Sequence, residues 1–487
     1  MKFIQILDQP IEPGGLVEWS AFTPGGLGTW TADERPTSYN HESHLRGALE
    51  YRWRTRREGG RESWLGVAVE FDEPMSVPAI RATLRAWIDR HEVLRSHVVL
   101  KGTGPARLTT PPGSVQLKMG RIGWYNESGP LMDQIAGTFD RVTAPLAWPA
   151  YIFATVAREH SFTLLFAADH SLVDGYSLIL AQHELWTLYH AMRTGTDPQL
   201  PPVGSYVDFS AVERRLADNS GPDHPAVAAW YRFLHAGNGS FPRFAGTGSG
   251  HDDTDPAASD PAEGAPPQSS VSALPLDDEE TNRFTAVCSA AGGGLFAGVL
   301  AAAGLAYRDV TGDPFFRCVI PRHTRDAPEW LGALGWFVST TGFTLDVGAG
   351  GTFDQLVSQA TEELRRTKVA ATLPFIRVSQ LLNDGGQPKL VISFIDTRYA
   401  PMAAEADAGR ARVLRSRSYS PDEVYVWVNR TPGGLRISAR FPSDQGAYEA
   451  VSGFLETFGD IIRRIGAQST FGSRHSAVQT SSDRSAG

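Results

Sequence analysis

Asp169, His170, Asp174 and Gly175 lie within one seven-residue stretch, directly after Phe162 to Ala168, a run that is almost wholly apolar. A neutral imidazole accepts a proton near pH 7, because its unperturbed pKa is about 6.5. The chemistry such a group offers is general base catalysis: it removes the proton of an attacking hydroxyl or amine and returns it to a leaving group. The structural alternative makes His170 a satisfied turn residue and Asp174 only the cap of a following helix. The His-x-x-x-Asp-Gly spacing, with a buried strand before it and a helix after it, favours catalysis.

Those two elements can be read from pattern. Seven residues, all apolar but Thr163 and bounded by polar ones, suit a strand buried on both faces of a sheet. Leu178, Ala181, Leu185, Leu188 and Met192 then recur at steps of three and four, the stripe of an amphipathic helix. His170 is therefore expected at a strand end, held by regular structure on both sides.

The segment resembles the His-His-x-x-x-Asp-Gly signature of the CoA-dependent acyltransferase superfamily, which includes chloramphenicol acetyltransferase, condensation domains and the polyketide-associated acyltransferases. Arg90-His91-Glu92-Val93-Leu94-Arg95, Tyr206-Val207-Asp208-Phe209 and Leu334-Gly335-Trp336-Phe337-Val338-Ser339-Thr340 resemble condensation-domain blocks in the same order. Gly335-Trp336-Phe337, Ser393-Phe394-Ile395-Asp396, Trp427-Val428-Asn429-Arg430 and Phe441-Pro442 are similar to the polyketide-associated branch that acylates trehalose. The first signature histidine is Asp169 here, which bears on the surroundings of His170 more than on the base itself.

Length and composition bound the rest. The chain has 487 residues, too many for one ordinary core. Its hydrophobic and charged fractions, 41% and 20%, are those of a globular protein. A formal charge of −9 argues against a nucleic-acid partner. Cys288 and Cys318 cannot form a disulfide framework or a zinc site, which fits a reducing compartment. Leu295 to Tyr307 is too short to span a bilayer and reads as a buried helix. His41 and His44 flank Glu42 and Ser43 without metal spacing, and His183 stands alone; for these, surface or cleft-lining roles are the default.

Residues 1–236 and 271–466 read as two α/β halves, joined by a Gly-, Pro- and Ser-rich linker at 237–270 and followed by a disordered tail at 467–487. Strands are predicted at Lys2 to Ile6, Trp64 to Phe71, Val93 to Leu100, Ala106 to Thr109, Val115 to Lys118, Tyr151 to Val156, Val271 to Leu276, Phe315 to Ile320, Gly335 to Leu345, Leu390 to Ile395, Val424 to Val428 and Leu435 to Arg440. A helix capped by Ser76 leads into Arg90. Arg52, Arg54, Arg56, Arg57 and Arg61 form a basic cluster that suits either a solvated face or the phosphates of a ligand.

The resemblance implies a fold of two chloramphenicol-acetyltransferase-like halves, each a mixed sheet flanked by helices, forming a pseudodimer with a tunnel at their junction. It implies an acyltransferase with His170 as base, Asp174 and Gly175 supporting its loop, and Arg95 as the partner of Asp174. Asp169, Trp336 and Asn429 are expected around the base or along the tunnel. The donor would be acyl-CoA or a phosphopantetheine-linked thioester on a polyketide-synthase carrier, with no permanently bound cofactor and no metal. The acceptor would be trehalose or a related glycolipid. No Gly-x-Ser-x-Gly elbow is present, which favours direct transfer over an acyl-enzyme. A cytoplasmic monomer is expected, either free or peripheral to the inner face of the membrane. An amide-forming condensation enzyme and a silent carrier-binding module remain as alternatives.

Overall fold

The computed structural model describes residues 3–6, 10–56, 63–247, 266–348 and 350–482. Of the basic cluster, Arg57 and Arg61 lie outside them, as do residues 248–265 of the expected linker. Among the described residues, seven strands form a first sheet. From one edge to the other they are β1 (Phe3–Gln5), β14 (Ala411–Arg415), β4 (Trp64–Phe71), β9 (Phe162–Asp169), β8 (Tyr151–Ala157), β2 (Gly15–Phe22) and β7 (Gln116–Trp124). A second sheet runs β10 (Ser269–Leu276), β16 (Gly434–Phe441), β15 (Val424–Thr431), β13 (Leu390–Asp396), β11 (Phe315–His323) and β12 (Val338–Asp346). The short strands β3 (Thr31–Asp33), β6 (Gly104–Thr109) and β5 (Ser96–Lys101) form a third.

Every residue of β9 is buried. Phe162, Leu164, Phe166 and Ala168 enter one core, which includes residues of α2 (Val77–Arg90) and α4 (Gly175–Thr194), while Leu165 and Ala167 enter another against α3 (Ser128–Val142). Cover on both faces is the physical reason for the unbroken apolar run, since successive strand side chains point to opposite faces. β8 pairs antiparallel with β9, Tyr151 opposite Ala168, as the hairpin reading requires. The second sheet packs its own core against α7 (Asp278–Ala290), α8 (Leu295–Thr311), α9 (Phe353–Thr367) and the C-terminal helix Gln445–Ser482. Among the described residues no single helix is long and apolar enough to cross a membrane; α7 and α8 pass that test only as a pair bent by 95°.

Some elements depart from expectation. The strand expected at Val93 starts at Ser96, because residues 92–95 wind into a tight 3-10 turn directly after α2. β2, β3 and β14 are absent from the sequence reading, and β14 crosses from the second half into the first sheet, parallel to β1 and antiparallel to β4. The last helix is bounded at Gln445–Ser482, and residues 483–487 of the expected tail lie outside the described residues.

Candidate active site

His170 sits where β9 gives way to α4, one residue beyond the strand end. Its main-chain N–H donates to the carbonyl of Ser63 at 3.0 Å, and the Asp169 N–H to that of Ala150 at 2.9 Å, so the turn is pinned to the chain on both sides. The residue keeps partial solvent access, while its Nδ1 is buried without a partner from another residue. Burial pushes the imidazole pKa below its usual value; a contact with its own backbone acts the other way. Trp336, from the second half of the chain, lies with its ring centroid 4.7 Å from that of His170, which places the histidine at the meeting of the two halves.

Asp169 is fully buried. Its carboxylate accepts from the Ser171 N–H at 2.9 Å and from the Ser63 hydroxyl at 2.7 Å, and it pairs with His44 Nε2 at 3.0 Å. Burial alone would raise its pKa; the charge and hydrogen bond of His44, with those from Ser171 and Ser63, hold it below the ordinary carboxylate range. His44 stands on α1 (Tyr39–Thr55), capped by Ser38, and meets Trp336 edge-on at 5.8 Å. His170 and His44 thus both contact one indole. His41, one turn earlier, is buried and pushed down to about 3, chiefly by burial.

Asp174 caps α4 by accepting from the Ser177 N–H at 2.7 Å. The same carboxylate receives both terminal nitrogens of Arg325, at 2.7 and 3.0 Å, and the Phe337 N–H at 3.0 Å. The expected partner, Arg95, is therefore corrected to Arg325. Arg95 is buried among main-chain carbonyls instead, donating to Ile88, Thr110 and Asp89 at 3.2, 2.6 and 3.2 Å. The order of blocks along the chain suggested Arg95, but Arg325 follows β11 in the other half and only folding brings it to α4. Ser177 Oγ extends the junction by donating to the Gly335 carbonyl at 3.0 Å. Gly175 opens α4 directly after the capping aspartate.

The remaining blocks are architectural. Glu184 of α4 is buried and held by Trp87 Nε1 at 2.8 Å, Arg90 Nε at 2.8 Å and His91 Nε2 at 2.6 Å, so Arg90-His91 locks α2 onto α4. A side chain at Gly335 would put its Cβ 2.3 Å from the Tyr206 ring, which ties the tyrosine block to the Gly-Trp-Phe block by close packing. Asn429 is buried on β15 opposite Ile395 and Arg436; its Oδ1 has no hydrogen-bond partner, and it takes no part in the networks around Asp169 and Asp174. Arg430 bonds to the Thr431 carbonyl, Asp278 and Asn282. Cys288 and Cys318 are buried free thiols raised by burial, Cys288 to about 12, and neither is poised as a nucleophile.

A family profile described as Condensation domain matches residues 57–462. The chain belongs to the condensation-domain family. Among its relatives, the acyltransferase PapA3 of Mycobacterium tuberculosis is 27% identical over 484 residues, covering 94% of this chain and 97% of that protein. The 2'-acyl-2-O-sulfo-trehalose (hydroxy)phthioceranyltransferase PapA1 of the same organism is 26% identical, covering 93% and 86%. In structure, the PapA2 acyl transferase superposes with a TM-score of 0.84 at 24% identity, covering 96% of this chain and all of that one. The first condensation domain of the calcium-dependent antibiotic synthetase gives 0.66 at 17% identity, with 89% and 97% covered. The fold is thus the two-lobed one of condensation domains, with a helix-flanked mixed sheet in each lobe.

Sequence reasoning named Asp169, His170, Asp174, Gly175 and Trp336, which folding brings together. It missed Ser63 and Arg325, and it left His44 without a partner. No spacing links His44 to a carboxylate 125 positions away, and Arg325 is one arginine among several.

Proposed function

We propose that this condensation-domain protein is an O-acyltransferase that moves an acyl group from a CoA or carrier-bound thioester to a hydroxyl of trehalose or a related glycolipid. The observation that carries the reading is His170: a buried-edge imidazole with lowered proton affinity, at a strand end where the two lobes meet. The names of PapA1 and PapA3 support acyl transfer, and that of PapA1 supports a trehalose-based acceptor.

In this mechanism the acceptor hydroxyl gives its proton to His170 Nε2, the nitrogen left once Nδ1 is buried, as its oxygen attacks the thioester carbonyl. The tetrahedral intermediate collapses, the C–S bond breaks, and the proton passes to the departing thiolate. General base catalysis of this kind contributes about 10²–10⁴ in rate. The rest comes from holding donor and acceptor together and from donors facing the oxyanion; the Gly175 N–H at the α4 N-terminus is our candidate. No acyl-enzyme is needed.

The test is His170→Ala with labelled acyl-CoA and trehalose, read by product mass. Loss of transfer by about a hundredfold or more is expected; a variant as active as wild type ends the proposal. Amine acceptors run in parallel separate ester from amide formation.

A further inference from the structure

The transfer step uses His170 and leaves the imidazole beside it unemployed. Ser38 caps α1, which sets His41 and His44 one turn apart on the same side of that helix. His41 is buried, but 16% of the His44 side chain is exposed, against 1% of its partner Asp169. His170 and Trp336 are likewise only partly covered, while Ser38, Asp169, Ser171 and Phe337 around them are buried. Three partly open rings therefore meet among closed neighbours. Trp336 is 4.7 Å from His170 and 5.8 Å from His44, centroid to centroid.

The ring nitrogens are not equivalent. Against its burial, the Asp169 carboxyl is held ionised by His44 Nε2, the Ser171 N–H and the Ser63 hydroxyl. An ionised carboxylate only accepts, so Nε2 carries the ring proton of His44, and Nδ1 of the neutral ring keeps its lone pair. No described residue bonds to that Nδ1, and it is not sealed from solvent. His170 has the opposite arrangement, with Nδ1 sealed and Nε2 open. Burial is the main cause of the lowered pKa of His170, and the charge of His44 adds to it, so the two rings lie within electrostatic reach of each other. The site thus presents two imidazole nitrogens beside one indole, each able to take a hydrogen bond from a hydroxyl.

We infer that His44, oriented by Asp169, selects the acceptor: its Nδ1 takes a hydrogen bond from a second hydroxyl, adjacent to the one that His170 deprotonates. This rests on the acyl-transfer reading and specifies its acceptor as a vicinal diol of the kind a sugar ring carries, not a lone alcohol. Each hydrogen bond adds about 2.8 Å of reach, so neighbouring hydroxyls can serve two rings that share one indole. The indole offers the C–H face of a sugar an apolar surface. The carboxylate at position 169, where the resembling signature has a histidine, is what fixes the His44 ring and its tautomer.

The experiment uses the full chain with dodecanoyl-CoA and measures kcat and KM for trehalose, a vicinal cyclohexanediol and cyclohexanol. His44→Gln keeps an N–H donor for Asp169 but places no acceptor where Nδ1 stands, and His44→Ala removes both. Wild type should favour the diol over cyclohexanol by about tenfold or more, the worth of one hydrogen bond. Both variants should bring that ratio down to about twofold, the statistical advantage of two hydroxyls, and should raise KM for trehalose by about tenfold. A merely structural role for His44 would lower all three acceptors together and keep the wild-type ratio. The inference is overturned by that result, by a wild type with no preference for the diol, or by His44→Gln retaining the preference; if His44→Ala fails to fold, His44→Gln decides. A wild type that acylates none of the acceptors overturns the acyl-transfer reading instead. Calorimetry with trehalose then decides the role of His44: affinity about tenfold weaker in His44→Gln supports it, and equal affinity overturns it.

Discussion

His170 works as a base only while it is neutral, and burial lowers its proton affinity below that of a free histidine. A lowered pKa means the active form is fully present at neutral pH and is lost as pH falls through that lowered value. We expect kcat/KM to be flat from pH 6.5 to 8 and to decline only on the acid side. A rise that is still incomplete at pH 7.5 would contradict a neutral, buried-edge imidazole. Stability carries a related signature. His41 and His97 are buried and pushed down to about 3 and about 4, mainly by burial. The unfolded chain protonates them near pH 6.5 while the folded chain does not, so stability falls as pH drops below 6.5. Each contributes about 1.4 kcal/mol per pH unit down to its folded value. The melting midpoint should therefore drop between pH 7 and pH 5, and activity limbs must be recorded where the protein is still folded.

At the level of elements, the β9–α4 junction is held by one carboxylate with two duties. Asp174 caps α4 and also binds Arg325 and the Phe337 N–H from the other lobe. Both partners of the ion pair are buried, and stranding either charge costs about 3–5 kcal/mol. Arg325→Ala should lower the unfolding midpoint accordingly. Arg325→Lys should rescue little, because a lysine cannot supply the two-pronged contact. Asp174→Ala combined with Arg325→Ala should cost less than the sum of the single changes, the mark of a direct pair. Additive losses would place the stabilisation elsewhere.

For the whole molecule, the decisive feature is β14. The chain leaves the second lobe after β13, inserts Ala411–Arg415 between β1 and β4 of the first sheet, then returns to form β15. Val413 pairs with Phe3 on one side and Val67 on the other and is fully buried. Val413→Pro removes a ladder donor and disturbs both pairings in a strand flanked on both sides, where proline is not accommodated. Because the strand ties the lobes together, the loss should appear as an earlier urea midpoint for the entire protein. An unchanged midpoint would show that the inserted strand is dispensable.

Local physics made a large part of this protein legible. The apolar run before Asp169, the helical stripe after it and the Ser76 cap are short-range patterns, and each became the element it predicted. The Asp174 cap belongs to the same class, since the N–H it accepts from is three residues away. The long-range partners were not legible. Arg95 was the nearer choice for Asp174 in the order of blocks, yet Arg325 holds it; Asp169 gave no hint of His44 or Ser63. β14 reads as an undistinguished segment until its two neighbours are known. Hydrophobic period and capping are written within a few residues of one another, whereas charge pairing and sheet insertion depend on which surfaces meet, and only the folded chain decides that.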